Sequence, residues 1–211
     1  MKPRAIVLCV LMILVMVAAT AYYYPSLPET IAVHWDAAGK VNGYGGRWQV
    51  WLTGPGTMTG ILLLGVAMPL LSPKKFEVQS FRETYGYMMV VLVALFAGIE
   101  ILMLCVALDV RLKMASVFPA LIFLALIFIG NPMGKVRRNF FIGVRTPWTL
   151  ASEAVWYTTH RLAARLMVAS GTLGLIAVSL GAPNWLLLVA MMAWVPVVAG
   201  YSLLLYKRLP H

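Results

Sequence analysis

The chain has 211 residues, of which 62% are hydrophobic and only 11% charged, against about 45–50% and about 25% in soluble domains. That balance excludes a soluble globule, and such hydrophobicity equally excludes a disordered chain. Lys and Arg outnumber Asp and Glu by 17 to 7, a net charge of +10, which points to nucleic acid only if the charges share one surface.

Six stretches approach the roughly 20 apolar residues needed to cross about 30 Å of hydrocarbon. They are residues 5–24, 48–71, 85–108, 114–130, 162–180 and 185–206. The fifth carries Arg165 near its start, and an arginine one turn into a helix reaches back to the headgroups. The expected fold is an all-α integral membrane protein, a six-transmembrane-helix bundle.

Orientation follows from the positive charges, which are retained on the cytoplasmic side. Thirteen of the seventeen fall on the two termini and on loops 2 and 4: Lys2, Arg4, Lys74, Lys75, Arg82, Lys135, Arg137, Arg138, Arg145, Arg161, Arg165, Lys207 and Arg208. The other loops hold Lys40, Arg47, Arg111 and Lys113. Both termini are therefore expected in the cytoplasm of a multi-pass plasma-membrane protein, and the net charge reads as a topology signal with no direct nucleic-acid role. A second reading of the first span stays open. Lys2 and Arg4, the apolar run and Ala19-Thr20-Ala21 also fit a cleavable secretory signal, whereas Tyr22, Tyr23 and Tyr24 suit the outer interface of a retained helix.

This topology separates the reactive residues. Cys9 lies near the inner end of span one and Cys105 about 30 Å along span three, at about 1.5 Å of rise per residue; a disulfide needs alpha carbons within about 7 Å. His34 and His160 fall on opposite faces of the bilayer, so no shared metal site is expected. The chain contains no H-E-x-x-H, no G-x-S-x-G, no phosphate-binding glycine loop and no paired carboxylates. Neither an enzyme nor a cofactor is expected.

Only two connections are long enough to carry function, because loops 3 and 5 are tight hairpins at residues 109–113 and 181–184. The external loop, residues 25–47, is rich in Gly and Pro. In it, Ile31, Val33 and Trp35 alternate as one apolar face of an extended piece, leaving His34 and Asp36 on the other. It is either an interfacial loop anchored by Trp35, Trp48 and Trp51, or a recognition loop in which His34, Asp36, Trp35 and Tyr44 meet a ligand over Gly39 and Gly43.

The cytoplasmic segment, residues 131–161, mixes basic residues with Asn139, Phe140, Phe141, Thr146, Trp148 and Thr149, more chemistry than anchoring to an anionic leaflet requires. Pro147 after Thr146 opens a helix, with no breaker seen before Arg165. On that helix Trp148, Ser152, Val155, Trp156, Thr159 and Ala163 share a face, and Trp156 and His160 are neighbours. An interfacial cytoplasmic helix leading into span five is expected, with Arg145, His160 and Arg161 near the headgroups.

The string Asn139-Phe140-Phe141-Ile142-Gly143-Val144-Arg145-Thr146-Pro147-Trp148-Thr149-Leu150, followed by Ser152-Glu153, Val155-Trp156 and His160-Arg161, resembles the signature of the SdpI-type immunity membrane proteins. Leu27-Pro28, His34-Trp35 and the glycines from Gly39 to Gly45 resemble the small membrane domain of unknown function that often precedes it. The resemblance implies a two-span N-terminal domain, residues 1–84, and a four-span SdpI-like domain, residues 85–211. It also implies protection against a secreted antimicrobial peptide toxin, and signalling in which the toxin-bound protein holds a cytoplasmic repressor at the membrane. Carried over residue by residue, the expected site is His34 and the glycines outside, with Asn139, Gly143, Arg145, Trp148, Thr149, Trp156, His160 and Arg161 inside.

Glu100 sits within the third span, where a carboxylate must face the bundle or carry a proton. It leaves open a small transporter or lipid-handling protein as the alternative to an immunity protein, with an intramembrane enzyme a distant third. Asp109 is expected to pair at the surface with Arg111 and Lys113. Gly56 with Gly60, and Gly130 with Gly134, have small-residue packing spacing, and Pro55 and Pro69 are expected to bend or end span two.

Overall fold

The computed structural model describes residues 1–71 and 78–209; Lys74 and Lys75, counted above for loop 2, lie outside them. Among the described residues, six helical segments are long and apolar enough to cross a membrane, and the protein is an all-α integral membrane protein. Helix α1, Pro3–Tyr23, opens on a proline, whose missing N–H costs nothing at a helix start. It exposes Leu11, Leu14 and Val15 by more than half, the pattern of a helix bathed in lipid on one side.

A hairpin of β1, Thr30–Trp35, and β2, Val41–Gly46, follows, antiparallel with Ile31 opposite Gly45 and His34 opposite Gly43. Its turn is built by Asp36, whose Oδ1 accepts the N–H groups of Ala38 and Lys40, each at 2.9 Å. Gly39 takes φ +75° there, and a Cβ on it would press on Ala115. The expected alternation holds: Ile31 is buried and joins Val33 and Trp35 on the core side, while His34 is exposed.

Span two is α2, Gln49–Trp51, a π-helical turn over Leu52–Gly56, and α3, Thr57–Ala67. Pro55 lies in the π turn, since it has no N–H to continue the regular ladder, and Pro69 lies in the closing 3-10 turn Met68–Leu71. Helix α4, Arg82–Ala107, ends at Asp109, which adopts the left-handed conformation with φ 61°. Asp109 thus terminates a helix; it forms no ion pair with Arg111 or Lys113, as the described ion pairs are Lys2–Glu83 and Arg138–Glu153.

Helix α5, Met114–Met133, leads to the signature segment, the short helix α6, Pro147–Ala151, and then α7, Glu153–Ser179. The last span is α8, Asn184–Met192, with α9, Trp194–Arg208. The single helix expected from Pro147 onward is broken at Ser152, which is extended (φ −128°, ψ 127°). Its hydroxyl accepts the Val155 N–H, so a serine that looked like one more face residue is an N-cap.

Two cores share α4. One joins Cys9, Met16, Ile31, Val50, Met58, Val93 and Leu104; the other joins Tyr85, Met88, Met133, Val136, Trp156, Met167 and Val198. In lipid, helices associate through close packing of small residues, and α5 and α7 do so at Gly130, Gly171 and Gly174. A Cβ at Gly174 would overlap the Phe123 ring, and one at Gly130 would press on Met167 and Val168. Of the expected pairs Gly130 is packed, whereas Gly60 faces open space. Cys9 and Cys105 are both free.

The hairpin tip touches Ala115 at the start of α5, and the signature begins where α5 ends, 20 residues later. At about 1.5 Å per residue these lie about 30 Å apart, at opposite ends of the bundle.

Candidate functional site

The signature segment, residues 135–161, folds around the side chain of Asn139, which is fully buried. Its Nδ2 donates to the carbonyls of Arg137 (2.8 Å) and Ile142 (3.0 Å), and its Oδ1 accepts the N–H groups of Phe141 (2.7 Å) and Ile142 (2.8 Å). All four of the amide's bonding directions are spent on its own loop, which an isosteric Leu or Asp could not reproduce.

His160 locks the far side of that loop. Nδ1 lies 2.8 Å from the Trp156 carbonyl, which only accepts, and Nε2 lies 3.0 Å from the Val144 N–H, which only donates. The neutral ring with its proton on Nδ1 meets both at once. The imidazole stacks on Trp156 with centroids 4.0 Å apart, and the Trp156 Nε1–H donates to the Val136 carbonyl at 2.8 Å. Gly143 is required where the backbone crosses this ring: its φ is +114°, and a Cβ there would overlap Nε2. His160 is therefore buried inside the clamp and does not stand at the headgroups as expected.

Helix α6 is held at both ends. Thr146 and Thr149 form a reciprocal capping box, with Thr146 N–H donating to Thr149 Oγ1 at 2.9 Å and Thr149 N–H to Thr146 Oγ1 at 3.3 Å. Trp148 donates its Nε1–H to Ser202 of α9. At the other end Arg138 donates to the carbonyls of Leu150 (3.2 Å) and Ala151 (3.4 Å) and lies 3.6 Å from Glu153.

The buried members Asn139, Thr149, Trp156 and His160 thus spend their polar atoms on backbone and on each other. Exposed on the segment are Lys135, Arg137, Phe140, Arg145, Pro147, Ala151, Glu153, Ala154 and Arg161. Arg145 bridges its own loop by donating to the Phe140 carbonyl, and Phe140 is 39% exposed beside it. The exposed face offers guanidinium groups and an aromatic ring, chemistry suited to an anionic or amphipathic partner.

At the opposite end, His34 Nδ1 lies 2.5 Å from Asn42 Oδ1 on the exposed side of the hairpin. Gly43 leaves room for it, since a Cβ would come within 2.9 Å of the His34 Cβ. Trp35 packs into the first core, and Asp36 is committed to the turn. The structure therefore brings the signature residues together but keeps the hairpin set apart from them.

Glu100 faces the bundle, as expected, and is fully buried. Its Oε1 and Oε2 lie 3.3 Å from the hydroxyls of Thr20 and Thr53, and a Cβ on Gly54 would collide with its carboxyl group. The π turn carrying Thr53 and Gly54 lets span two lie against the carboxyl. Sequence reasoning missed Thr20, Thr53, Arg138, Ser152 and Ser202. Only Thr146-Pro147-Trp148-Thr149 carried a legible cue, the capping spacing; the others bond across 12 to 80 residues of chain or through a local break.

Residues 135–202, which span the clamp from Lys135 to the Ser202 hydroxyl, match the model of the SdpI/YfhL protein family. That match covers less than half of the chain. Residues 11–59, from α1 through the hairpin to the π turn, match a domain of unknown function, DUF1648. The immunity protein SdpI of Bacillus subtilis (strain 168) is 46% identical over 46 residues, 22% of this chain and 22% of that protein. The aligned stretch thus spans about a fifth of that relative. No solved structure matches. The SdpI-like chain is a multi-pass membrane protein whose relatives include an immunity protein.

Proposed function

We propose that this chain confers resistance to a secreted antimicrobial peptide by binding or neutralising it at the plasma membrane, and signals to a cytoplasmic repressor through the signature loop. The observation that carries the reading is the clamp: Asn139, Gly143 and His160 hold one loop in a single conformation and leave Phe140, Arg145 and Arg161 outside. A loop so held presents a fixed surface whose ordering cost is met on folding, which favours recognition. The hairpin carrying His34 and Asn42 is the outer recognition element, and the two-span and four-span parts are the units that couple them. Coupling requires the peptide to bind two conformations of the bundle unequally.

Expression in cells sensitive to a membrane-active bacterial peptide toxin raises survival, and His34→Ala or Arg145→Ala abolishes the gain at unchanged membrane level. Unaltered protection by both variants overturns the site assignment. Sidedness is tested with Cys9 and Cys105 replaced by Ala. An impermeant thiol reagent labels Ala37→Cys in intact cells and labels Arg137→Cys only after permeabilisation; the reverse pattern inverts the topology.

A further inference from the structure

Between α4 and α5 a groove of about 370 Å³ opens sideways from the bundle, lined by apolar surface that includes Tyr87, Val90, Ala94, Leu121, Leu124 and Phe128. At the starts of α1 and α4 a second hollow of about 260 Å³ is bounded by Lys2, Arg4, Arg82, Glu83 and Gly86. Tyr87 and Val90 line both, so the two form one largely apolar trough with Lys2, Arg4 and Arg82 among the residues at one end. Gly86 sets its floor by letting α1 approach, since a Cβ there would lie 3.1 Å from the Ala5 Cβ.

The dimensions fit one leaflet. From Arg82 to Leu95, which also lines the groove, thirteen residues of α4 rise about 20 Å. Half of a hydrocarbon core about 30 Å thick, with part of the headgroup layer, has that depth. The charge fits an anion. Lys2 pairs with Glu83, while Arg4 and Arg82 are exposed and form no ion pair among the described residues. An aqueous anion would not use the apolar length. A second copy of a chain with 17 basic and 7 acidic residues offers little negative charge to the cationic mouth.

We propose that α1, α4 and α5 bind one anionic phospholipid in the leaflet that holds the N-terminus. Its phosphate lies between Arg4 and Arg82, and an acyl chain lies along Tyr87, Ala94 and Leu121. The full-length protein, purified in mild detergent, is titrated by native mass spectrometry with phosphatidylglycerol and with phosphatidylcholine of the same acyl chains. Phosphatidylglycerol binds at least tenfold more tightly, and the Arg4→Gln/Arg82→Gln double variant reduces it to the phosphatidylcholine level. Ala94→Trp, which fills the groove from an exposed position, weakens both lipids, and Arg111→Gln beyond the far end of α4 changes neither. Equal affinity for the two lipids in the native chain overturns the proposal. So does a preference that survives the double variant, or a dimer that occludes the groove.

Discussion

Gly143→Ala tests the clamp most directly, because the glycine is needed for two separable reasons. Its φ of +114° lies where an alanine backbone is strained, a cost of about 1–3 kcal/mol. The new Cβ would also overlap His160 Nε2 and come within 3.0 Å of Cδ2. The ring cannot retreat, since it is fully buried against Trp156. The collision therefore breaks the bond from the Val144 N–H, and an orphaned donor costs about 1–3 kcal/mol more. The expected loss is about 2–6 kcal/mol, read as the free energy of reversible unfolding in mixed dodecyl sulfate micelles by tryptophan fluorescence. Gly181→Ala is the control: its φ is +73° but a Cβ there meets nothing within 4 Å, so only a backbone cost of about 1–2 kcal/mol applies. Combining Gly143→Ala with His160→Ala removes the obstacle, so the two losses sum to more than the double variant shows. Equal losses at Gly143 and Gly181, or strict additivity with His160→Ala, would refute the reasoning.

The same unfolding measurement reports on the rest of the bundle. Glu100→Gln keeps groups that bond Thr20 and Thr53 and stays within about 1 kcal/mol of the native chain, while Glu100→Ala opens a cavity and loses about 2–4 kcal/mol; a Gln variant as damaged as the Ala variant would show that the hydroxyl contacts do not hold the three segments together. Gly174→Val drives α5 and α7 apart at Phe123 and costs about 1–3 kcal/mol, of which Phe123→Leu restores part. Failure of that second change to restore stability would place the damage elsewhere in α7.

Hydropathy alone determined the six crossings. Partition into lipid is a sum over about 20 neighbouring residues, so it is written in local sequence and tolerates errors of a few positions at each end. Period-two alternation in Ile31, Val33 and Trp35 likewise announced an extended piece, because one face of a strand meets one environment. The signature string marked residues 139–161 as chemically unusual but not what each residue does there. Arg145 and Arg161 are exposed, whereas His160, equally polar on paper, is sealed inside.

Only tertiary structure decided those roles, because hydrogen-bond partners depend on which segments packing brings within hydrogen-bonding reach. Trp148 finds Ser202 across 54 residues, and Glu100 finds Thr20 across 80. Even the local break at Ser152 depends on a distant donor: Arg138 satisfies the carbonyls of Leu150 and Ala151 that the broken helix leaves open. Burial, which turns a polar side chain into a structural brace, is a property of the assembled bundle and has no counterpart in the linear chain.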